Sequence, residues 1–238
     1  MYGFFLGSYF RIILVAALLP VVVLMVLVYR QDRVEREPFS VMLRLFLLGA
    51  ATTVGASLIE RLCISFLNVV YPNVYSIAYG FLMYFCIVAV AEEGLKYAVL
   101  RSMWRHPAFN YRFDAVVYGT CASLGFAAAE NLLYILQAGV GIAPIRAVTA
   151  IPLHCICGIY MGHYFGMARA CENYGMRGEQ RIYHILTLLI PVLIHGFYDF
   201  AATSGYGILQ AAFTVFIVVL DITAIINVRK YARHDAPL

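Results

Sequence analysis

Of the 238 residues, 63% are hydrophobic and only 13% charged, and the mean hydropathy is +0.82. A water-soluble domain of this size cannot hide so much apolar surface, so the composition excludes one and points to a polytopic membrane protein. The formal charge of +4 is spread over short loops, which makes no case for nucleic acid and reads instead as a topology signal.

Seven apolar runs, at about 9–29, 41–67, 75–103, 114–138, 144–169, 182–203 and 206–228, are long enough to cross a bilayer as helices. The expected fold is an all-α membrane helix bundle, one integral membrane domain over residues 1–238. The first run is followed by the basic cluster YRQDRVER and by no small-residue cleavage site, so it reads as an anchor. Basic residues concentrate in the loops at 30–37, 101–112 and 169–181 and in the tail VRKYARH. The alternate loops hold only Arg146. That alternation predicts the N-terminus outside and the C-terminus in the cytoplasm. The six cysteines form no CxxC pair and read as small packing residues.

Ionisable side chains inside spans are costly, and their default reading is functional when they face the bundle interior. The third run carries Glu92, Glu93 and Lys96 within AVAEEGLKYAVL. Around a helix Lys96 falls between the two glutamates, so its amine can offset one carboxylate and leave the other for acid–base work. Glu60 with Arg61 lies near an outer end, where snorkelling accounts for it. Asp114 opens the fourth run, where an N-cap carboxylate accounts for it. Further along the fourth run come Glu130 and Asn131. In the fifth, His154, Gly158, Gly162 and Gly166 recur every four residues, a small-residue strip suited to close helix contact. His154 therefore points inward, while His163 faces the opposite way. In the sixth run, His195 and Asp199 share one face four residues apart, so Asp199 can orient the imidazole. His106, His184 and His234 sit in loops or at an inner end, and Asp221 near the basic end; all four read as structural.

At ~1.5 Å per residue, Glu130, His154 and His195 each lie ~12 Å below the outer end of their span, in one layer. One carboxylate and two imidazoles form a plausible first shell for zinc with a position left for water. Glu92 and Glu93 come out deeper, at ~20 Å, a gap that a tilted or broken third span would close.

Four elements thus stand in order: EEGLK (92–96), GFAAAEN (125–131), HCICG (154–158) and HGFYD (195–199). They resemble the PrsW family of intramembrane proteases, whose pattern runs EExxK, FxxxEN, HxxxG and HxxxD. FDAVVYG (113–119) also resembles the family's stretch ahead of the Glu-Asn motif. The resemblance covers residues 92–199, just under half the chain, within a wider group that includes type II CAAX prenyl endopeptidases and bacteriocin-processing proteins. Those CAAX relatives have His in place of Glu130 and Asn in place of Asp199. The resemblance implies a multi-pass protease of the bacterial plasma membrane, with core helices over about 75–203. It would cut single-span, anti-sigma-factor-like membrane proteins near the extracytoplasmic side. Carried over, Glu92 or Glu93 is the base, Lys96 and Asp199 assist, and Glu130, His154 and His195 hold zinc or, without metal, the water. Two other classes are weighed against it. A proton-coupled transporter calls for polar residues on both sides of the midplane and inverted repeats, and neither is visible. A non-catalytic scaffold would tolerate loss of a motif, and all four are present.

Overall fold

The computed structural model describes residues 2–238. Its long helices are α1 (Tyr2–Tyr29), α2 (Phe39–Val70), α5 (Asp114–Ala138), α7 (Ala150–Asn173), α8 (Arg177–Thr203) and α9 (Gly207–Arg233). The third span is composite: α3 (Ile77–Phe81), a π-helical stretch (Leu82–Val88) and α4 (Ala89–Arg101). Seven helical spans are long and apolar enough to cross a membrane, as expected. The described residues hold no strand, only an isolated bridge between Tyr111 and Pro237.

Two interruptions depart from straight helices. The π stretch at 82–88 places wider turns immediately before Glu92 and Glu93, a device concentrated at functional sites. In the fifth span, Thr149 (φ −127°, ψ −76°) separates a short α6 (Ala143–Val148) from α7. Pro152 lies in the first turn of α7, where its missing N–H costs no helical bond.

Helix α5 is the centre of the bundle and is buried along most of its length. In lipid, association between helices rests on close packing rather than on expulsion of water, and small residues permit it. The expected glycine strip on α7 meets α5 backbone to backbone. A Cβ on Gly158 would lie 2.7 Å from the Gly119 carbonyl oxygen, and one on Gly162 would lie 2.1 Å from that of Ala115. Helix α2 clamps the other side through Gly49 against Ala122 and Gly125 against Phe46. The lipid side shows in exposed Leu19, Leu62, Phe66, Ile208, Val215 and Ile226. Helices α5 and α7 are thereby held at a fixed, short separation with His154 and Glu130 at one end of their contact.

At the opposite end the loop between α1 and α2 folds in. One carboxylate oxygen from each of Asp32, Glu37 and Asp114 falls within 4.8 Å of the other two, all three side chains being buried. Asp114 corrects the expectation of an N-cap: the cap position is Phe113, and Asp114 Oδ2 accepts instead from the backbone N–H of Asn110 (2.9 Å) and Tyr111 (2.6 Å), closing the preceding turn. The Tyr118 hydroxyl has one proton and lies 2.8 Å from the Ala108 carbonyl, so its contact with Glu37 is satisfied when Glu37 is protonated. Burial, followed by the nearby Asp114 charge, lifts Glu37 from 4.5 to about 8; burial and the charges of Asp114 and Asp235 lift Asp32 to about 6.

Both raised values fix a sign. In the unfolded chain these carboxyls ionise at ordinary values, so the folded chain holds the extra protons between about pH 4 and pH 8. Stability from these groups is full below that window and is lost as pH rises through it. Thermal melts of detergent-purified protein should fall from pH 5.5 to pH 8.5, and Glu37→Gln should flatten that slope. For the helix contact, Gly162→Ala should cost at least ~1–3 kcal/mol through overpacking, whereas Gly178→Ala, which meets nothing within 4 Å, should not lower the melting temperature.

Candidate active site

Lys96 is fully buried and is the hub of the polar interior. Its ammonium donates to Glu93 Oε1 (2.8 Å), Glu92 Oε2 (3.2 Å) and His154 Nδ1 (3.0 Å), which uses all three of its N–H groups, and it lies 4.0 Å from the centre of the Phe126 ring. The position of Lys96 between the two glutamates, read from helical spacing, is what the structure shows. These contacts offset the cost of holding an ammonium charge away from water.

The two glutamates then divide. Glu93 is completely enclosed, and its Oε1 also accepts from His195 Nδ1 at 2.7 Å, while its Oε2 is buried without a partner. Glu92 borders a cavity of about 370 Å³. Its Oε2 lies 3.8 Å from His195 Nε2, and Asp199 Oδ2 lies 3.3 Å from the same nitrogen.

The imidazoles follow a common plan. Lys96 can only donate, so His154 Nδ1 accepts and its proton sits on Nε2, 3.2 Å from Glu130 Oε2. Glu93 accepts from His195 Nδ1, which leaves Nε2 as the unprotonated nitrogen of the neutral ring. Each ring is therefore held from inside through Nδ1 and presents Nε2 to carboxylates that line the cavity. The rings stand edge to face with centroids 5.2 Å apart.

Glu130 is held from a second direction. Arg146 on α6 donates through Nη2 to Glu130 Oε2 (2.5 Å) and through Nε to Asn131 Oδ1 (2.9 Å), with its guanidinium 4.0 Å above the Tyr134 ring. Asn131 in turn donates to the Ala17 carbonyl of α1. In the sequence Arg146 reads only as a topology signal; its standing as the one basic residue of the otherwise uncharged alternate loops was the clue to a buried partner. Glu60 also borders the cavity, beyond the snorkelling role expected of it.

Every residue expected at the site, from Glu92, Glu93, Lys96 and Glu130 to His154, His195 and Asp199, is found in this one network. The depth offset of Glu92 and Glu93 does not keep them from it. Elsewhere, His163 stacks on Tyr231 (3.6 Å) and His184 against Trp104, while Asp221 is half-buried and makes no ion pair among the described residues. All six cysteines are free thiols.

The donors suit a borderline divalent metal such as zinc, which takes imidazole nitrogen and carboxylate oxygen. One potential ligand atom from each of Glu92, Glu93, His154 and His195 lies within 4.8 Å of the others, all four being buried. Lys96 already places a fixed positive charge inside that quartet, so a second cation fits better on the cavity side, at His195 Nε2. There the Glu93 carboxylate on Nδ1 supplies the orienting partner that metal-binding histidines normally have, whereas His154 carries its proton on the cavity-side nitrogen.

The comparisons with known proteins agree with this chemistry. Residues 37–225 match the model of the PrsW family of intramembrane metalloproteases. Protease PrsW of Oceanobacillus iheyensis is 32% identical over 219 residues, covering 92% of this chain and 95% of that protein. Protease PrsW of Clostridioides difficile is 30% identical over 92% of this chain and 91% of its own, and that of Bacillus subtilis 32% identical over 81% and 83%. No solved structure matches the chain. A buried Glu/Lys/His network, seven membrane-length helices and this coverage lead to one conclusion: the chain belongs to the PrsW family of intramembrane metalloproteases.

Proposed function

We propose that this protease hydrolyses a peptide bond of a single-span membrane protein, of the anti-sigma-factor kind, near the extracytoplasmic side of the bacterial plasma membrane. The observation that carries the reading is the division of labour between Glu92 and Glu93. Glu93 is sealed in and spends one oxygen on Lys96 and His195, which makes it a positioning residue. Glu92 borders the cavity and is the general base, taking a proton from water and returning it to the leaving amine. His195, fixed through Nδ1, directs Nε2 toward the same water, and Asp199, 3.3 Å away, accepts from that nitrogen once it has taken a proton. Glu130, His154 and His195 would hold zinc, His154 once its ring proton has left Nε2. Zinc, when bound, would supply Lewis-acid polarisation of the scissile carbonyl and a lowered pKa for water. The alternation of basic loops supports an N-outside, C-inside orientation, which sets the polar layer toward the outer face.

A second reading is a metal-free glutamic protease, in which Glu92 and His195 act on water directly. It is favoured by the Lys96 ammonium, a permanent positive charge in the site that already compensates carboxylate charge.

Reconstitution with a candidate single-span substrate tests both. Glu92→Gln should slow cleavage by roughly 10²–10⁴-fold with its melting temperature nearly kept. Cleavage by Glu92→Gln at the wild-type rate would remove Glu92 from the mechanism. Lys96→Met strands two buried carboxylates and should destabilise by roughly 3–5 kcal/mol, read as a loss of folded protein. Chelator treatment with metal analysis separates the two readings: activity that survives full removal of metal selects the metal-free one.

A further inference from the structure

The opposite end of the bundle carries a second cavity, which the proteolytic chemistry does not use. It measures about 200 Å³ and lies between the start of α5, the inner half of α7 and the end of α9. Its polar lining comes from Arg112, His163, Lys230, Tyr231 and His234; the rest is apolar, and no carboxylate borders it. The volume is several times the ~30 Å³ share of a water molecule.

The cationic groups here have no anionic partner in direct contact, although the Asp235 charge lies near Arg112. Neither Arg112 nor Lys230 forms an ion pair among the described residues. Arg112 Nε is buried with no hydrogen-bond acceptor, and the other contact of its guanidinium is a weak one to the Met167 sulfur at 3.9 Å. A neighbouring acid, Asp235, spends Oδ1 on the backbone N–H groups of Phe113 and Ala236, each at 2.9 Å. Orphaned guanidinium nitrogens are expensive, and a guanidinium fork matches phosphate geometry. The placement is built: a Cβ on Gly166 would lie 2.5 Å from the Arg112 carbonyl oxygen, so glycine there lets the Arg112 segment lie against α7. His163, stacked on Tyr231, forms the wall between α7 and α9.

We propose that this cavity binds a phosphate-bearing anion, with the headgroup of an anionic phospholipid as its occupant. Its place supports that occupant, because Arg112 precedes α5 and Lys230 and His234 end α9, where chain segments leave the apolar spans. Basic pockets between spans at the cytoplasmic surface suit anionic headgroups. An occupant would bridge α9, whose hold on the bundle is limited to a few buried residues such as Leu220, Ala224 and Val228, to the α5–α7 pair.

Native mass spectrometry and thermal melts of the full chain in phosphatidylcholine bilayers, with and without phosphatidylglycerol, test this without reference to proteolysis. Wild type should retain phosphatidylglycerol and melt higher with it. Arg112→Gln and Lys230→Gln should each weaken retention roughly fivefold, whereas the charge-matched pair Arg177→Gln/Arg181→Gln should leave it unchanged. Lys230 is exposed, so its variant reads out even if Arg112→Gln folds poorly, and Arg112→Lys should restore part of the binding. In a second arm, inorganic phosphate added to detergent-solubilised protein should raise the melting temperature of wild type above that of Lys230→Gln if free phosphate is the occupant. Retention of phosphatidylglycerol by Arg112→Gln and Lys230→Gln equal to that of wild type, or an equal loss in the Arg177→Gln/Arg181→Gln control, would overturn the proposal.

Discussion

The ammonium of Lys96, enclosed by two carboxylates, an imidazole and an aromatic face, is the constraint on which the rest of the site depends. Four carboxylates and two imidazoles meet in a largely buried space, and the mutual repulsion of the carboxylates would otherwise force the helices apart or neutralise the groups. Lys96 sets the polarity of the network at its centre, with Arg146 holding Glu130 at its rim. It fixes His154 through Nδ1, holds Glu93 so that Glu93 can fix His195, and leaves Glu92 bordering the cavity. The order of these contacts runs inward to outward, from charge balance to orientation to chemistry.

Such a network requires walls that do not move. Those walls come from the backbone contacts of α5 with α7 and α2, where glycine replaces any side chain that would hold the helices apart. In a bilayer, where lipid tails are as apolar as leucine, this close contact substitutes for the hydrophobic drive of a water-soluble core. Lipid-facing positions on α1, α2 and α9 carry large aliphatic residues with few partners and are free to vary in shape. The stringent positions lie on the glycine strip and in the four motifs, which together position the carboxylates.

Hydropathy made the seven spans legible in the sequence, since apolar length is the dominant requirement of the bilayer. The recurrence at His154, Gly158, Gly162 and Gly166 pointed to the inward face of α7, and the spacing of Glu92, Glu93 and Lys96 pointed to their shared ion pair. What spacing could not show depends on tertiary contact. The π stretch at 82–88 has no compositional mark, being as apolar as its neighbours. Arg146 belongs to a different span from Glu130, so nothing local announced the pair. The cluster of Asp32, Glu37 and Asp114 joins a loop to a helix more than 70 residues later, and Asp114 looked like a simple cap because only its immediate neighbours were visible.

The position of Glu92 on the wall of a cavity has a consequence for any substrate. In a wound α-helix each interior backbone carbonyl is already spent on the N–H four residues on and is sheathed by side chains ~10 Å across. Under the proposed hydrolysis, a transmembrane segment cannot present its scissile bond while wound. The bond must reach Glu92 in extended form, its carbonyl already released from the helical hydrogen bond. Sequences that unwind easily, rich in glycine, proline or β-branched residues, would then be cut in preference to stable helices, so selectivity would lie in the substrate's backbone as much as in its side chains.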